Sequence, residues 1–357
     1  MKKYLSLIIW LICSLPLLSC KESSPSNDGG NNCVYYWRTT FSLSDAEKEF
    51  LKEHDVKKIY LRLFDVDYKY SEKNECVVPE ATILFYDSIP SGIEIVPTVY
   101  ITTAAMRTMQ TTESGYAEKI LKRVNAICRK YNIAFKEIQL DCDWNKSTRE
   151  PFFRLCESVK RGIDSTQSLS STIRLHQLTQ TPPPVDRGVL MVYNTGNLME
   201  MTTENSIFSL KDIAPYLRDD RLSEYRLPLD VAYPAYGWSL VFHPVGMSDS
   251  DDGKYVFDRI MRRTDIPDFP SLKKIGDNLY EATSQVDFSQ GENWWDRVYE
   301  NYRIKTERPT AEEILKVKEL IDAQLSGKPH DNIIYHLDEE QLSHYSNNEI
   351  SEIYTRN

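Results

Sequence analysis

Residues 136–159, KEIQLDCDWNKSTREPFFRLCESV, change periodicity halfway along. Ile138, Leu140 and Cys142 alternate with Gln139, Asp141 and Asp143, the period-two pattern of a strand. Ser147 and Glu150 then stand at capping-box spacing, and Phe152, Leu155, Cys156 and Val159 recur on one face of the helix they would open. The segment reads as one strand followed by one helix.

The same order recurs on both sides of it. Upstream, Val34–Thr40 is β-rich and is followed by a Ser44–Glu47 capping box with Ala46, Phe50 and Leu51 on one face. Lys58–Phe64 alternates as a second strand, and Ile93–Ile101 is a third, ahead of a helix over Gly115–Lys130. Downstream, Ser171–Leu178, Gly188–Asn194 and Leu227–Pro234 read as strands five to seven, with a short helix over Leu210–Leu217. Thr310 and Glu313 cap a helix to Leu325, and Asn332–Leu337 is the eighth strand. Residues 243–308, which hold Trp294 and Trp295, are less regular and form an insertion between strands seven and eight. Repeated strand-then-helix units predict parallel strands covered by helices. Eight of them predict an α/β fold with a single (β/α)8 TIM-like barrel over residues 34–357. A doubly wound sheet is the rival, but no Gly-rich turn follows the first strand.

The composition bounds what such a barrel does. With 357 residues, 43 basic against 53 acidic side chains and no basic block, duplex nucleic acid is excluded as a partner. The 22 Tyr and 6 Trp supply rings with polar handles, suited to wet, ligand-facing surfaces as well as to cores. Seven Cys occur without a C-x-x-C pair, and the six His form no H-x-H or H-E-x-x-H, so no metal site is expected. No P-loop or G-x-S-x-G elbow occurs, and no cofactor is implied. Cys128, Cys142 and Cys156 sit in periodic apolar segments and read as buried thiols, while a Cys33–Cys76 disulfide stays open.

The N-terminus carries an address. Lys2 and Lys3 precede an apolar run from Tyr4 to Leu18, too short to span a membrane comfortably. It ends Leu17-Leu18-Ser19-Cys20, which resembles the lipobox of bacterial lipoproteins. The resemblance implies a signal peptide over residues 1–19, acylation of Cys20, and a Ser/Asn/Gly-rich flexible tether over 20–33. The expected location is the cell envelope, anchored by lipid to the outer membrane and facing the periplasm or the medium.

In a parallel barrel the polar inward residues near the C-terminal strand ends mark the site. Asp141 and Asp143 would lie about 6.6 Å apart along strand four. Each charge then raises the other's pKa, so that one carboxyl stays protonated as an acid beside an anionic neighbour. Alternatively, inward arginines bind both in a buried ion network, for which Arg38, Arg62 and Arg174 are available. His176 shares a strand face with Arg174, strand six ends in Tyr193-Asn194, strand seven leads into Tyr236 and Trp238, and Asp338 follows strand eight. Asp230 lies mid-strand, deep for a ligand contact.

Tyr35-Tyr36-Trp37-Arg38-Thr39, Ile138–Trp144, Leu227–Trp238 and Tyr335–Asp338 together resemble a family of Bacteroidetes lipoproteins taken to be TIM barrels, a family with no settled activity. More remotely, strand four is similar to the D-x-D-x-E strand of family 18 chitinases, whose last acid protonates the glycosidic oxygen. On that pattern Gln139, Asp141 and Asp143 fill the three places, or a shift of two puts Asn145 at the acid. The resemblance implies a glycoside hydrolase-like barrel with a glycan as ligand. Asp143 would be the acid/base and Asp141 the charge partner. Tyr100, Tyr193, Tyr236 and Trp238 would be stacking walls, and Arg38, Arg62, Gln139, Trp144, His176, Asn194 and Asp338 further ligand contacts. The alternative is a non-catalytic lipoprotein on the same barrel that binds a glycan or a partner protein.

Overall fold

A computed structural model of the protein describes residues 29–70, 76–109, 115–245, 254–261, 263, 265–289 and 296–356. The expected signal peptide, Cys20, most of the tether and the Trp294-Trp295 pair lie outside the described residues. The eight barrel strands are β1 (Asn32–Tyr36), β2 (Val56–Lys69), β3 (Glu94–Ile101), β4 (Glu137–Asp141), β5 (Ser168–Arg174), β6 (Arg187–Met191), β7 (Leu229–Pro234) and β8 (Asn332–Tyr335). All neighbours are parallel, and β1 pairs with both β2 and β8, so the sheet closes on itself. This is the expected (β/α)8 barrel. β1, β4, β5, β6 and β8 stop short of the ends expected from the sequence pattern. β2 instead continues past the barrel and pairs antiparallel with Cys76–Glu80.

The barrel's main helices are α1 (Asp45–Glu53), α2 (Tyr116–Lys130), α3 (Arg149–Gly162) and α4 (Ala311–Leu325). Both the Ser44–Glu47 and Thr310–Glu313 capping boxes form. The Ser147–Glu150 box does not. Asn145 takes the local hydroxyls instead: its Oδ1 accepts from Ser147 Oγ at 2.7 Å and its N–H donates to Thr148 Oγ1 at 2.9 Å. Thr148 then stands at the N-cap of α3 without a side-chain cap bond.

The insertion after β7 is more ordered than its sequence implies. Trp238–Pro244, Tyr255–Met261, Leu272–Lys274, Leu279–Ala282 and Arg303–Glu307 make a five-stranded antiparallel sheet. Val241, Met261, Ala282, Val286, Val298 and Ile304 give it a small core of its own. The central pairing joins Trp238 to Glu307 across a long stretch of sequence, so no local period announces it.

Charged side chains plug the N-terminal end of the barrel. Lys58 Nζ lies 3.1 Å from Asp331 and 3.4 Å from Glu137, and Arg187 lies 2.8 Å from Asp230. Asp230 is 0% exposed, as deep as its mid-strand place implies. Cys33 is buried beside Asp331, far in register from Cys76, and all five described cysteines are free. Cys128, Cys142 and Cys156 are buried, as their apolar settings predict.

Candidate ligand site at the barrel mouth

Gln139, Asp141 and Asp143 do point toward the barrel axis, and they sit at three depths. Gln139 is 0% exposed; its Oε1 accepts from Tyr35 Oη at 2.8 Å, and its amide reaches Ser170. It is therefore an interior hydrogen-bonding group and not the ligand contact expected. Asp141, one layer higher, is buried and accepts from Thr172 Oγ1 at 2.6 Å. Asp143 is half exposed at the rim. Arg174, at the end of β5, bonds to both: its Nη2 is 3.5 Å from Asp141, and its Nε donates to Asp143. Burial works against the Arg174 charge, yet the two carboxylates outweigh it and hold its pKa above the ordinary value. Burial raises the Asp141 carboxyl above the usual range, with Arg174 pulling it down and Asp143 pushing it up. Tyr100, beside Asp141 in the sheet register, is pushed up to about 12 by burial and by the two carboxylates.

The other two arginines serve different carboxylates. Arg38 bonds to Glu47 at 2.7 Å and lies 4.7 Å above the Tyr36 ring. Arg62 chelates Asp65, with Nε at 2.7 Å, and sits 5.5 Å from the centroid of Trp37. Each has an acid close by in sequence, so neither reaches β4.

Next to this network, over β1, β2, β6, β7 and β8, opens a cleft of about 740 Å³. Trp37, Tyr236, Trp238 and Tyr335 give it aromatic walls, and Arg38, Arg62, Asn194 and Asp338 are also among its lining residues. Asp141 and Asp143 are not among its lining residues. The rings brace one another: Tyr236 meets Trp238 at 5.6 Å, Tyr335 at 5.4 Å and Tyr193 at 6.1 Å, all edge to face. Tyr193 is 4% exposed and lies beneath Tyr335 at 4.8 Å, so it forms a floor under the cleft and not a wall. Asn194 accepts from Tyr236 Oη at 2.7 Å. Trp238 Nε1 donates to Glu307 at 3.0 Å. Asp338 caps the short Glu339–Leu342 turn through Gln341 N and still borders the cleft.

Two further expectations change. Trp144 is 0% exposed and packs edge-on against Phe153 of α3, so it is core and makes no ligand contact. His176 lies on a 3-10 turn, Leu175–Thr179, that begins where β5 ends, so it does not alternate with Arg174. It is exposed, with burial and Arg174 lowering its pKa against the pull of Asp143, burial being the largest cause. Trp37 and Tyr335 were missed as walls, although each aromatic stands at or just past the end of a strand. Glu307 was missed because its segment reads as irregular. Asn145 turns its carbonyl back onto Ser147 and leaves the second alignment's acid place to a capping amide. Among the described residues no group of three or more His, Cys, Asp or Glu side chains could hold a metal ion.

No protein-family model matches the sequence, and no curated protein does. Among solved structures, the spore cortex-lytic enzyme SleL of Bacillus megaterium is similar over 92% of this chain and 75% of its own, at 11% identity and a TM-score of 0.49. A chitinase of Chromobacterium violaceum is similar over 91% of this chain and 98% of its own, at 12% identity and a TM-score of 0.50. That likeness is one of fold: the chain is a TIM-like barrel of an architecture that chitinases also use.

Proposed function

We propose that the protein binds a glycan in the aromatic cleft without cleaving it. The observation that carries this reading is the shared Arg174 contact of Asp141 and Asp143. A general acid must hold a proton within reach of the scissile oxygen. Here the buried carboxyl accepts from Thr172 and lies against a guanidinium, the rim carboxylate accepts from the same guanidinium, and both stand outside the cleft lining. The cleft itself has what a sugar chain needs for binding: four rings for stacking and fixed amide, carboxylate and guanidinium groups for hydroxyls. Chitin oligomers head the panel of probes, since a chitinase shares the fold.

Hydrolysis with Asp143 as acid/base is the second reading, favoured by the half-exposed place of its carboxyl at the rim. One experiment separates the two. The intact protein is titrated with chitin and other cell-wall oligomers while reducing ends are counted. Saturable binding with no product supports the binding reading. Product formation that Asp143→Asn abolishes overturns it in favour of hydrolysis.

A lipid anchor at Cys20 goes with this reading. The lipobox-like ending Leu17–Cys20 supports it, and Gly29–Asn32 lie at the N-terminal ends of the strands, opposite the cleft. The described end of the tether and the cleft then occupy opposite ends of the barrel. Cys20→Ala is expected to move the expressed protein from the detergent phase to the aqueous phase on detergent partitioning, and an unchanged partition sinks the anchor.

A further inference from the structure

Glu307 sits 3% exposed at the end of the insertion sheet, and both of its carboxylate oxygens accept hydrogen bonds. Its Oε2 accepts from Ser206 N at 3.0 Å, from Ser206 Oγ, and from Trp238 Nε1 at 3.0 Å. Its Oε1 accepts from Lys305 Nζ at 2.7 Å, and Lys305 is itself 4% exposed. One carboxylate thus ties three pieces of chain: the loop after β6, the first strand of the insertion and its last. Trp238 pairs with Glu307 in the sheet register, so backbone and side chain hold the indole from the same residue. The indole plane is further fixed by the edge of Tyr236, which Asn194 holds in turn.

We infer that Glu307 is a positioning residue for the cleft: it locks the Trp238 indole as a rigid wall against which a pyranose ring stacks by its C–H face. The inference rests on the cleft reading above. A free indole has two side-chain torsions to lose on binding, and a carboxylate that holds its N–H removes that loss beforehand. Lys305 supplies the matching charge, so the acceptor is available inside the protein without an unpaired buried anion. The insertion, by this account, is a clamp that sets the cleft wall and not a passive cover.

The test has a readout that needs no ligand. In the full chain, hydrogen exchange of the Trp238 indole N–H, assigned with Trp238→Phe, is expected to be slow. Glu307→Leu is expected to speed it at least tenfold and to weaken binding of the best oligomer from the panel about tenfold, the effect of one lost hydrogen bond to a charged group. Glu307→Gln combined with Lys305→Met keeps an acceptor for the indole and removes both charges, and is expected to keep exchange and affinity within about twofold of the parent. Ser206→Ala removes a bond to the same oxygen without touching the indole, and is expected to lower the melting temperature while leaving Trp238 exchange unchanged. Parent-like exchange in a folded Glu307→Leu variant overturns the inference. If that variant does not fold, fast exchange in the Gln/Met pair overturns it. If no oligomer binds the parent, the cleft reading fails, whereas Glu307 still stands or falls on the exchange data.

Discussion

Arg174 leaves β5 with 16% of its side chain exposed and meets Asp141, whose side chain is 3% exposed. Removing one member of such a pair strands a buried charge, which costs about 3–5 kcal/mol, far more than the intact pair contributes. Arg174→Met is therefore expected to lower the unfolding free energy by about 3 kcal/mol at pH 7, measured by urea denaturation. Adding Asp141→Asn is expected to recover most of that loss, because the stranded charge is gone. A single-variant loss below about 1 kcal/mol contradicts the pairing. The sequence shows the two aspartates on one strand face and three arginines able to meet them. It does not show which arginine arrives. Arg38 and Arg62 are claimed by Glu47 and Asp65 within nine residues of each, and Arg174 is left by a strand register that no local pattern encodes.

Strands and caps are the parts of this fold most nearly written in local order. β4 alternates as expected because its two faces meet different media, helices outside and a polar axis inside. Two capping boxes form where their spacing occurs, and the third fails because an Asx turn at Asn145 competes for the same hydroxyls. The insertion sheet stayed illegible since its central pairing, of Trp238–Phe242 with Arg303–Glu307, joins segments far apart in sequence. Within β6, Gly188 meets a constraint that only the assembled barrel imposes. A Cβ there would stand 2.8 Å from Ile173 Cγ1 and 2.9 Å from Leu229 Cδ2, between the strands on either side. Overpacking at such a place costs about 1–3 kcal/mol. Gly188→Ala is expected to destabilise by about 2 kcal/mol by urea denaturation, with cleft affinity unchanged, since the contact lies far below the mouth. A neutral or stabilising substitution would show that the neighbouring strands can give way.

At the scale of the whole molecule, the barrel has one end for ligand and one end for closure, and the closed end makes stability depend on pH. Three carboxylates there, Glu137, Asp230 and Asp331, share two cations, Lys58 and Arg187, with the buried Tyr60 and Cys33 beside them. The excess negative charge falls on Asp230. Burial and the neighbouring Asp331 push its carboxyl up to about 7, while Arg187, the Asp331 N–H and Lys58 pull less strongly the other way. Asp331 goes down: burial opposes its charge, but Lys58 and the bonds from Asn31 outweigh that. A folded pKa raised above the unfolded value means that the folded state holds its proton more tightly. The contribution of Asp230 is then fully present below about 4, declines as pH rises, and is gone above about 7. Asp331 acts with the opposite sign, its contribution being lost only as pH falls below the ordinary carboxylate range. The chain is accordingly expected to resist urea better at pH 5 than at pH 8. Asp230→Asn keeps an acceptor for Arg187 and for the Asp331 N–H but has no proton to lose, so the difference between the two pH values is expected to shrink. Because the plug lies at the opposite end from the mouth, glycan affinity at either pH should be the same in parent and variant. An undiminished pH difference in Asp230→Asn would move the source of the dependence elsewhere in the molecule.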